Sequence, residues 1–255
     1  MLKFGKGNSK LGSHIATFSL LSGWSCPFAK DCLSKAHINE ETGKKFLKDG
    51  KDTKFRCFSA SQEVLYKNTY NARKHNFDLV KKESTENIVK LIKESLPKKA
   101  TTIRIHVGGD FFNQKYFDAW LQVAKDIPNV LFYAYTKALP FWINRMNEVP
   151  SNFKLNASKG GKRDDLIKEH NLKEAVVVYS EEQAKELGLE IDHDDTHAYK
   201  GDNSFALLIH GSQPKGSEAS NALKELKKEG WTGYTKKGRS KEEVFKKNNN
   251  NSLGA

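Results

Sequence analysis

The sequence predicts an α/β protein, built as a small or partial (β/α) barrel of TIM-barrel-like layout that follows an N-terminal, cysteine-bearing segment. Three observations support this prediction. From residue 100 onward, short β-branched and aromatic runs alternate with amphipathic stretches. The runs start roughly 22 to 30 residues apart, about the length of one strand–helix unit. Three of them also alternate polar and apolar side chains, which predicts one polar face and one apolar face.

The predicted strands of the second part share β-branched and aromatic composition; they are 101–109, 130–137, 153–158, 175–180 and 204–211. Amphipathic stretches between them predict helices, the clearest at 114–127, where Phe117, Trp120, Leu121 and Ala124 lie on one side. Strands that alternate with helices favour parallel pairing through right-handed crossovers. The result is an open sheet or a full or partial barrel.

The polar alternation favours the barrel. Period two places Arg104, His106, Gly108 and Asp110 on one face of the first run, with isoleucines and a valine on the other. The next run places Tyr133, Tyr135 and Lys137 together, and the third places Lys154, Asn156 and Ser158 together. An open sheet covered by helices on both sides needs two apolar faces. A polar barrel interior fits better, and a partly exposed antiparallel sheet is the alternative.

The N-terminal part is different. A strand is predicted within 12–23, flanked by glycines, and a capped amphipathic helix at 86–96. Without a Pro/Gly/Ser-rich linker, 1–240 is predicted to be a single metal-binding domain. The polar, asparagine-rich stretch 241–255 is predicted to be a disordered tail.

Composition excludes several classes of protein. The chain has 255 residues, of which 37% are hydrophobic, so wholesale disorder is excluded. No apolar run of about 18 residues predicts a membrane span. The N-terminus has no apolar segment typical of a secretory signal, and three cysteines do not make a disulfide scaffold. We therefore expect a cytoplasmic protein.

The net charge of +12 invites a nucleic-acid interpretation. However, only 6 of the 43 basic residues are arginine, the side chain that reads bases best, and the chain contains 19 asparagines. An AT-rich genome produces the same composition without selection for binding. The charge alone therefore favours an ordinary solvated surface over a nucleic-acid partner.

The three cysteines carry the strongest chemical signal. Cys26 and Cys32 have a C-x5-C spacing in a polar, turn-rich segment, Cys57 follows 25 residues later, and the remaining 198 residues contain none. Such clustering favours metal binding over inert buried thiols or a redox disulfide. Three thiolates hold a [4Fe–4S] cluster with one iron open or bound by another donor. The alternative is a Cys3His zinc site with His37 or His14 as fourth ligand.

The chain resembles the phage-encoded gene product 88 family over most of residues 8 to 233. The resemblance rests on SCPFAKDC (25–32), RCFSASQEVLY (56–66), GGDFF (108–112), FYAYTK (132–137) and FALLIHGSQPKGSEASNAL (205–223). It implies a phage source and hence the cytoplasm of an infected host cell. More distantly, cysteines ahead of a strand–helix series resemble the partial barrels of radical-SAM enzymes, although their C-x3-C-x2-C loop is absent here.

The leading hypothesis is a phage iron–sulfur protein whose cluster lies at the mouth of the barrel. With redox chemistry at that cluster, the protein would be an oxidoreductase. Cys26, Cys32 and Cys57 would be the metal ligands, and Gly108 and Gly109 would let the backbone approach the cluster. The candidate catalytic residues, which line the polar pocket, are Arg104, His106, Asp110, Tyr135 and Lys137. The expected substrate is a small molecule or sulfur species.

Two alternatives remain open. A zinc-stabilised nucleic-acid-binding protein would stack bases on Trp24, Trp231 or Tyr234. An atypical radical-SAM enzyme would bind and cleave SAM. Two histidine groups belong to none of these hypotheses. HDDTH (193–197) is expected to be a solvated loop, and a divalent-ion site is the alternative. His210 ends a predicted strand and would reach the pocket if the barrel closes.

Overall fold

The computed structural model describes residues 1–7, 11, 15–231 and 233. Its main feature is an eight-stranded sheet of order β1-β2-β5-β6-β7-β8-β10-β9. The strands are β1 (Gly5–Lys6), β2 (Ile15–Phe18), β5 (Thr102–Ile105), β6 (Leu131–Thr136), β7 (Phe153–Ser158), β8 (Glu174–Val178), β9 (Glu190–Ile191) and β10 (Phe205–Leu208). All neighbours pair in parallel except β1, which is antiparallel to β2. A separate antiparallel hairpin consists of β3 (Ser34–Ile38) and β4 (Lys45–Asp49).

Nine α-helices are present in the described ranges. They are α1 (Phe58–Leu65), α2 (Lys67–Val80), α3 (Thr85–Ser95), α4 (Gln114–Asp126), α5 (Leu139–Ile143), α6 (Asp165–Glu169), α7 (Glu181–Glu186), α8 (Thr196–Tyr199) and α9 (Glu218–Lys228). Polar caps fix where the long ones begin. The side chains of Ser84, Asn113 and Ser217 each accept a backbone N–H from the first turn of α3, α4 and α9.

The largest core lies between one face of the sheet and helices α3 to α6. Ile103 and Ile105 of β5 and Phe132 and Ala134 of β6 face Trp120 and its neighbours on α4. These strand residues are two apart, as the pleat requires, and the helix residues are three and four apart. The predicted amphipathic helix at 114–127 is confirmed by α4, and its apolar side forms the centre of this core.

The described strands do not form a closed barrel, one form of the predicted fold. From β2 to β8 the strand order rises along the chain, as it does in a barrel. Closure would require the two ends of the sheet to pair. Instead, the two-residue strand β1 pairs with β2 at one end, and the two-residue strand β9 pairs with β10 at the other. Such short strands protect the edges of an open sheet.

The polar face predicted for the central strands exists, with one exception. Arg104, Tyr133 and Tyr135 lie on the side opposite the large core and share one partner, Asp195. His106 departs from the period because β5 ends at Ile105 and His106 adopts a left-handed backbone, φ +66°. Its ring packs against Phe18 and Phe111 in the apolar core. The prediction that Arg104 and His106 share a pocket is therefore wrong.

Candidate functional site

All three cysteines come from two segments that cross the carboxyl edge of the sheet. The first, residues 19–33, follows β2: Leu20 N–H donates to Gly108 O at 2.8 Å, and Asp31 N–H donates to Gly160 O at 2.9 Å. These acceptors lie in the loops after β5 and β7. This edge is where loops of parallel α/β folds gather functional residues.

The second segment brings Cys57 to the start of helix α1. Gln213, in the loop after β10, holds the residue before it: Arg56 N–H donates to Gln213 Oε1 at 2.7 Å, and Gln213 Nε2 returns a bond to Arg56 O at 3.1 Å. Cys57 N–H also donates to Ser34 Oγ at 3.2 Å. The helix start is thus tied to both the sheet edge and the hairpin.

The Cys26 thiol lies in a buried setting beside Asp110 and the other two thiols. Its pKa is raised well above the usual value, first by burial and then by the negative charges of Asp110, Cys57 and Cys32. One backbone donor acts the other way: Gly23 N–H points at Cys26 Sγ from 3.2 Å. Three thiols and a carboxylate from distant parts of the chain therefore share one electrostatic environment.

Cys57 and Cys32 belong to the same group. Burial, followed by the charge of Cys32, raises the pKa of Cys57 to about 11, while the N–H groups of Ala60 and Ser59 lower it. Burial also raises the pKa of Cys32, and Lys137 is the largest opposing influence. Each thiolate would be stabilised by added positive charge. We refer to Cys26, Cys32, Cys57 and Asp110 as the thiol site.

Asp110 is buried and held in one orientation. Its Oδ1 accepts from Thr136 Oγ1 at 2.6 Å and from Phe111 N–H at 2.8 Å, and its Oδ2 accepts from Lys137 N–H at 2.9 Å. Burial raises the pKa of Asp110 to about 6, although these hydrogen bonds lower it. The carboxylate connects the loop after β5 to the end of β6 through these hydrogen bonds. Its negative charge also acts on the thiol of Cys26.

Lys137 supplies positive charge beside Cys32. Its ammonium group donates to Ser158 Oγ at 2.7 Å, to Lys159 O at 2.8 Å and to Ser158 O at 2.9 Å. Three acceptors match the three N–H bonds of a lysine. The nitrogen is thereby fixed at the end of β7 instead of extending into solvent, in agreement with a side chain that is 7% exposed.

Gly108 and Gly109 allow the loops of the thiol site to pack closely. A Cβ on Gly108 would lie 2.2 Å from Ser59 Oγ, and one on Gly109 would lie 2.6 Å from Ser25 Oγ and 2.8 Å from Leu20 Cβ. Gly109 also has φ +89°, which glycine adopts without strain. Their neighbours are the residues that position Cys26 and Cys57, so these glycines act by allowing backbone approach.

His106 is separated from the thiol site by its packing. Its Nε2 lies 3.0 Å from Tyr116 Oη, and burial lowers its pKa to about 3. Its Nδ1 has no hydrogen-bond partner among the described residues. A neutral imidazole surrounded by Phe18, Phe111 and Tyr116 belongs to the core, although sequence reasoning placed it in the pocket.

Arg104 and Tyr135 form a different group, on the polar face of the sheet. Arg104 Nη1 lies 2.5 Å from Asp195 Oδ2, which also accepts from Tyr133 Oη at 2.9 Å, and Tyr135 Oη is 3.3 Å from Asp195 Oδ1. Asp195 raises the pKa of Arg104 against the effect of burial. We call Arg104, Tyr133, Tyr135 and Asp195 the ion-pair site.

Asp195 is the residue that sequence reasoning missed. HDDTH (193–197) was expected to be a solvated loop, and Asp194 is indeed exposed, but Asp195 is fully buried, as is Asp192 just before the segment. Asp195 has φ +66° and precedes α8, which packs against the sheet. A signal was present: an arginine within a buried strand needs a carboxylate partner, and HDDTH is an acidic segment between two strands.

No group of three or more His, Cys, Asp and Glu residues within 1–7, 11, 15–231 and 233 is placed so that it could hold a metal ion. The proposed fourth zinc ligand His37 instead packs between the rings of Trp24, at 5.1 Å, and Phe46, at 5.5 Å. The second candidate, His14, lies outside the described residues, as do Tyr234 and the predicted tail 241–255. His210 lies at the carboxyl edge, its ring 4.5 Å from that of Phe58.

Comparison with known proteins agrees with the sequence motifs. The family model described as "Gene product 88" matches residues 2–228. The chain belongs to this family. Among its relatives are the "Gene 88 protein" of Mycobacterium phage D29, 32% identical over 90 residues, and that of Mycobacterium phage L5, 31% identical over 90 residues. Each match covers 32% of this chain and 38% of the relative, so less than half of the relatives' length is compared. No solved structure matches the chain.

The family assignment confirms the expected phage source. Within the described ranges, every helix is too short or too polar to cross a lipid bilayer.

Proposed function

We propose that this family member is an iron–sulfur protein in which Cys26, Cys32 and Cys57 hold a [4Fe–4S] cluster. The observation that carries the proposal is the convergence of the three thiols. They come from segments up to 31 residues apart, yet Cys57 and Cys32 both raise the pKa of Cys26, and Cys32 raises that of Cys57. These are the only cysteines of the chain.

Three cysteine thiols are the donor type that holds iron–sulfur clusters, in which each thiolate binds a different iron. The Gly23 N–H that faces Cys26 Sγ is also the kind of donor that adjusts the reduction potential of a cluster.

Charge supports the same proposal. Three thiolates and Asp110 repel one another, so each proton lost makes the next loss harder. Bound iron would supply positive charge and would hold the thiols deprotonated. Lys137 and the start of helix α1 offset part of the remaining negative charge.

Three cysteines leave one iron without a thiolate, and such an iron, when bound, supplies redox or Lewis-acid chemistry to a small ligand. Besides Asp31, the chain's own charged groups that act on the Cys32 thiol are Lys137 and Asp110. We propose that they orient a small molecule or sulfur species there, Lys137 by its fixed positive charge and Asp110 by accepting or holding a proton. A redox reaction on such a substrate would make the protein an oxidoreductase.

A radical-SAM-type reaction is a second candidate. It is favoured by a strand order that rises along the chain and by cysteines at the carboxyl edge. It predicts SAM binding and reductive release of 5′-deoxyadenosine by the cluster-loaded protein. Cluster formation without either result would leave the first proposal intact and contradict the second.

The deciding experiment is anaerobic purification, followed by iron, sulfide and zinc analysis and visible spectroscopy. We expect a brown protein with about four irons and about four sulfides per chain. Cys26→Ala, Cys32→Ala and Cys57→Ala should each lose most of the iron and colour. Lys30→Ala, an exposed position in the same loop, should retain both. A colourless protein that takes up neither iron nor sulfide on anaerobic reconstitution would contradict the proposal.

A further inference from the structure

The β3–β4 hairpin carries an exposed row of aromatic rings. Trp24 and Phe46 are 44% and 47% exposed, and the His37 ring lies between them. We call Trp24, His37 and Phe46 the aromatic row. Ile38, Leu65 and Tyr66 are exposed on or near the same hairpin, so five of the seven exposed large hydrophobic residues described lie in this one region. Such concentration marks an interaction surface.

The row is rigid. Trp24 Nε1–H donates to Ala36 O of β3 at 3.1 Å, which fixes the indole against the hairpin. His37 and Phe46 are direct cross-strand partners, so both rings project from the same face. Rings held this way lose little conformational entropy when a partner binds.

Lysines frame the aromatic row. Lys35 and Lys48 form the adjacent cross-strand pair on the same face, and Lys35 Nζ lies 4.6 Å from the centre of the Trp24 ring. Like charges directly opposite each other destabilise a hairpin. Asp49, at the end of β4, is already paired with Arg56 at 2.5 Å. Because Asp49 is occupied by Arg56, it does not neutralise the two lysines. Their positive charge beside the aromatic rings suits an anionic partner that itself carries aromatic rings.

We propose that the aromatic row and its two lysines bind single-stranded nucleic acid. Unpaired bases stack on aromatic side chains in sequence-tolerant recognition, while lysines neutralise the phosphates. A duplex hides its base faces and would use only the charge. A second copy of this chain would bring lysines against lysines, and an acidic peptide would leave the rings without stacking partners.

This surface borders the thiol site but does not depend on it. Trp24 is two residues before Cys26, and Ser34 at the start of β3 accepts the N–H of Cys57. A strand on the row would pass beside the thiols. Binding itself requires only the aromatic row and its two lysines and none of the cysteines, so it can be measured in protein with or without iron.

The test is fluorescence anisotropy with a labelled oligothymidylate of about 20 nucleotides, and with a duplex of equal length, over a range of salt. We expect the single strand to bind more tightly than the duplex. Phe46→Ala should weaken single-strand binding about tenfold, the loss typical of one stacked base. Trp24→Ala should do the same, and Trp24→Phe should restore most of the affinity. Phe46 lies outside the loop that carries the cysteines. Its variant therefore tests the same surface even if the Trp24 variants disturb the folding of that loop.

The lysines are tested by the salt dependence. Lys35→Ala with Lys48→Ala should reduce the slope of log affinity against log salt by about 1.4, since each phosphate contact to a single strand contributes about 0.7. Lys90→Ala, an exposed lysine on α3, should leave affinity and slope unchanged. Equal binding of duplex and single strand, unchanged affinity in Phe46→Ala, or an equal loss in Lys90→Ala would overturn the proposal. Tight binding of an acidic protein instead of the oligonucleotide would also overturn it.

Discussion

The thiol site and the ion-pair site both contain a buried aspartate, but the two carboxylates have opposite surroundings. Asp195 faces an arginine and two phenol hydroxyls, so its charge is neutralised by the chain itself. Asp110 accepts from a hydroxyl and two backbone N–H groups, and the positive charge of Lys137 acts on it. That one cation also acts on Cys32, and the neighbouring thiols would themselves become negative on losing their protons. The first arrangement is stable as it stands. The second gains stability when positive charge is added.

This difference separates structural from functional polar groups. A buried ion pair whose members are matched one to one stabilises a particular arrangement of loop and sheet. A buried group of like charges is costly to the fold, and such groups are typical of sites that bind a cation or perform chemistry. Substitutions in the ion-pair site should therefore change stability, and substitutions in the thiol site should also change iron binding.

The largest effect is expected at Asp195. Asp195→Ala leaves Arg104 buried without its carboxylate, which costs about 3–5 kcal/mol of the free energy of unfolding. For a chain of this size, that lowers the Tm by roughly 10 °C. Thermal unfolding followed by circular dichroism measures it. Asp202→Ala, an exposed aspartate nearby, should change Tm by less than about 2 °C. Equal shifts in the two variants would remove the structural role given to the ion pair.

Glycine substitutions compare the thiol site with an open loop. Gly109 and Gly188 both have a left-handed backbone, with φ +89° and φ +66°. A Cβ at Gly188 meets nothing within 4 Å, whereas at Gly109 it overlaps Ser25 and Leu20. Gly109→Ala should therefore cost about 1–3 kcal/mol more than Gly188→Ala.

Iron content provides the second measurement for this pair. The overlap at Gly109 displaces the segment that carries Cys26, so iron binding should fall in Gly109→Ala and remain normal in Gly188→Ala. Equal iron content in the two variants would mean that the approach of the two loops is not needed at the thiol site.

His106 gives a pH-dependent test of the core beside β5. Burial lowers its pKa to about 3 in the folded protein, below the usual 6.5, so the folded state favours the neutral ring. The contribution of the neutral His106 ring to the free energy of unfolding is fully present above pH 6.5. It is lost as the pH falls towards 3, at up to about 1.4 kcal/mol per pH unit. His106→Asn keeps a residue that tolerates the left-handed backbone and should flatten this dependence. Denaturant unfolding between pH 4.5 and 7 measures it against His75→Asn, a partly exposed histidine. Identical pH profiles for the two variants would argue against a buried neutral His106.

The sequence was sufficient to predict the alternating strands and helices, the helix at 114–127 and the polar face of the central strands. The spacing of apolar residues predicts these features because each strand or helix shows its buried face within its own stretch of sequence. It failed at His106, where one left-handed residue reverses the side on which a side chain lies. It also could not show that the sheet stays open, since that depends on the pairing of two-residue strands distant in the chain. Asp195 was missed because its partner is 91 residues away.

The smallest effect is expected at Tyr135, which the sequence placed in the pocket with Asp110 and Lys137. Its hydroxyl is 3.3 Å from Asp195 Oδ1, a long hydrogen bond, and Arg104 lies over its ring at 5.0 Å. Tyr135→Phe keeps the ring and the cation–π contact and should cost only about 1 kcal/mol. Tyr133→Phe removes the shorter bond of 2.9 Å and should cost somewhat more.

Iron content in these two variants decides which region Tyr135 serves. Neither phenol appears among the groups that affect the thiols of Cys26, Cys32 and Cys57, so both variants should retain full iron and colour. A large loss of iron in Tyr135→Phe alone, with little change in stability, would move Tyr135 from the ion-pair site to the thiol site. It would also show that the polar face and the carboxyl edge act as one pocket, which is the arrangement a barrel interior would have provided.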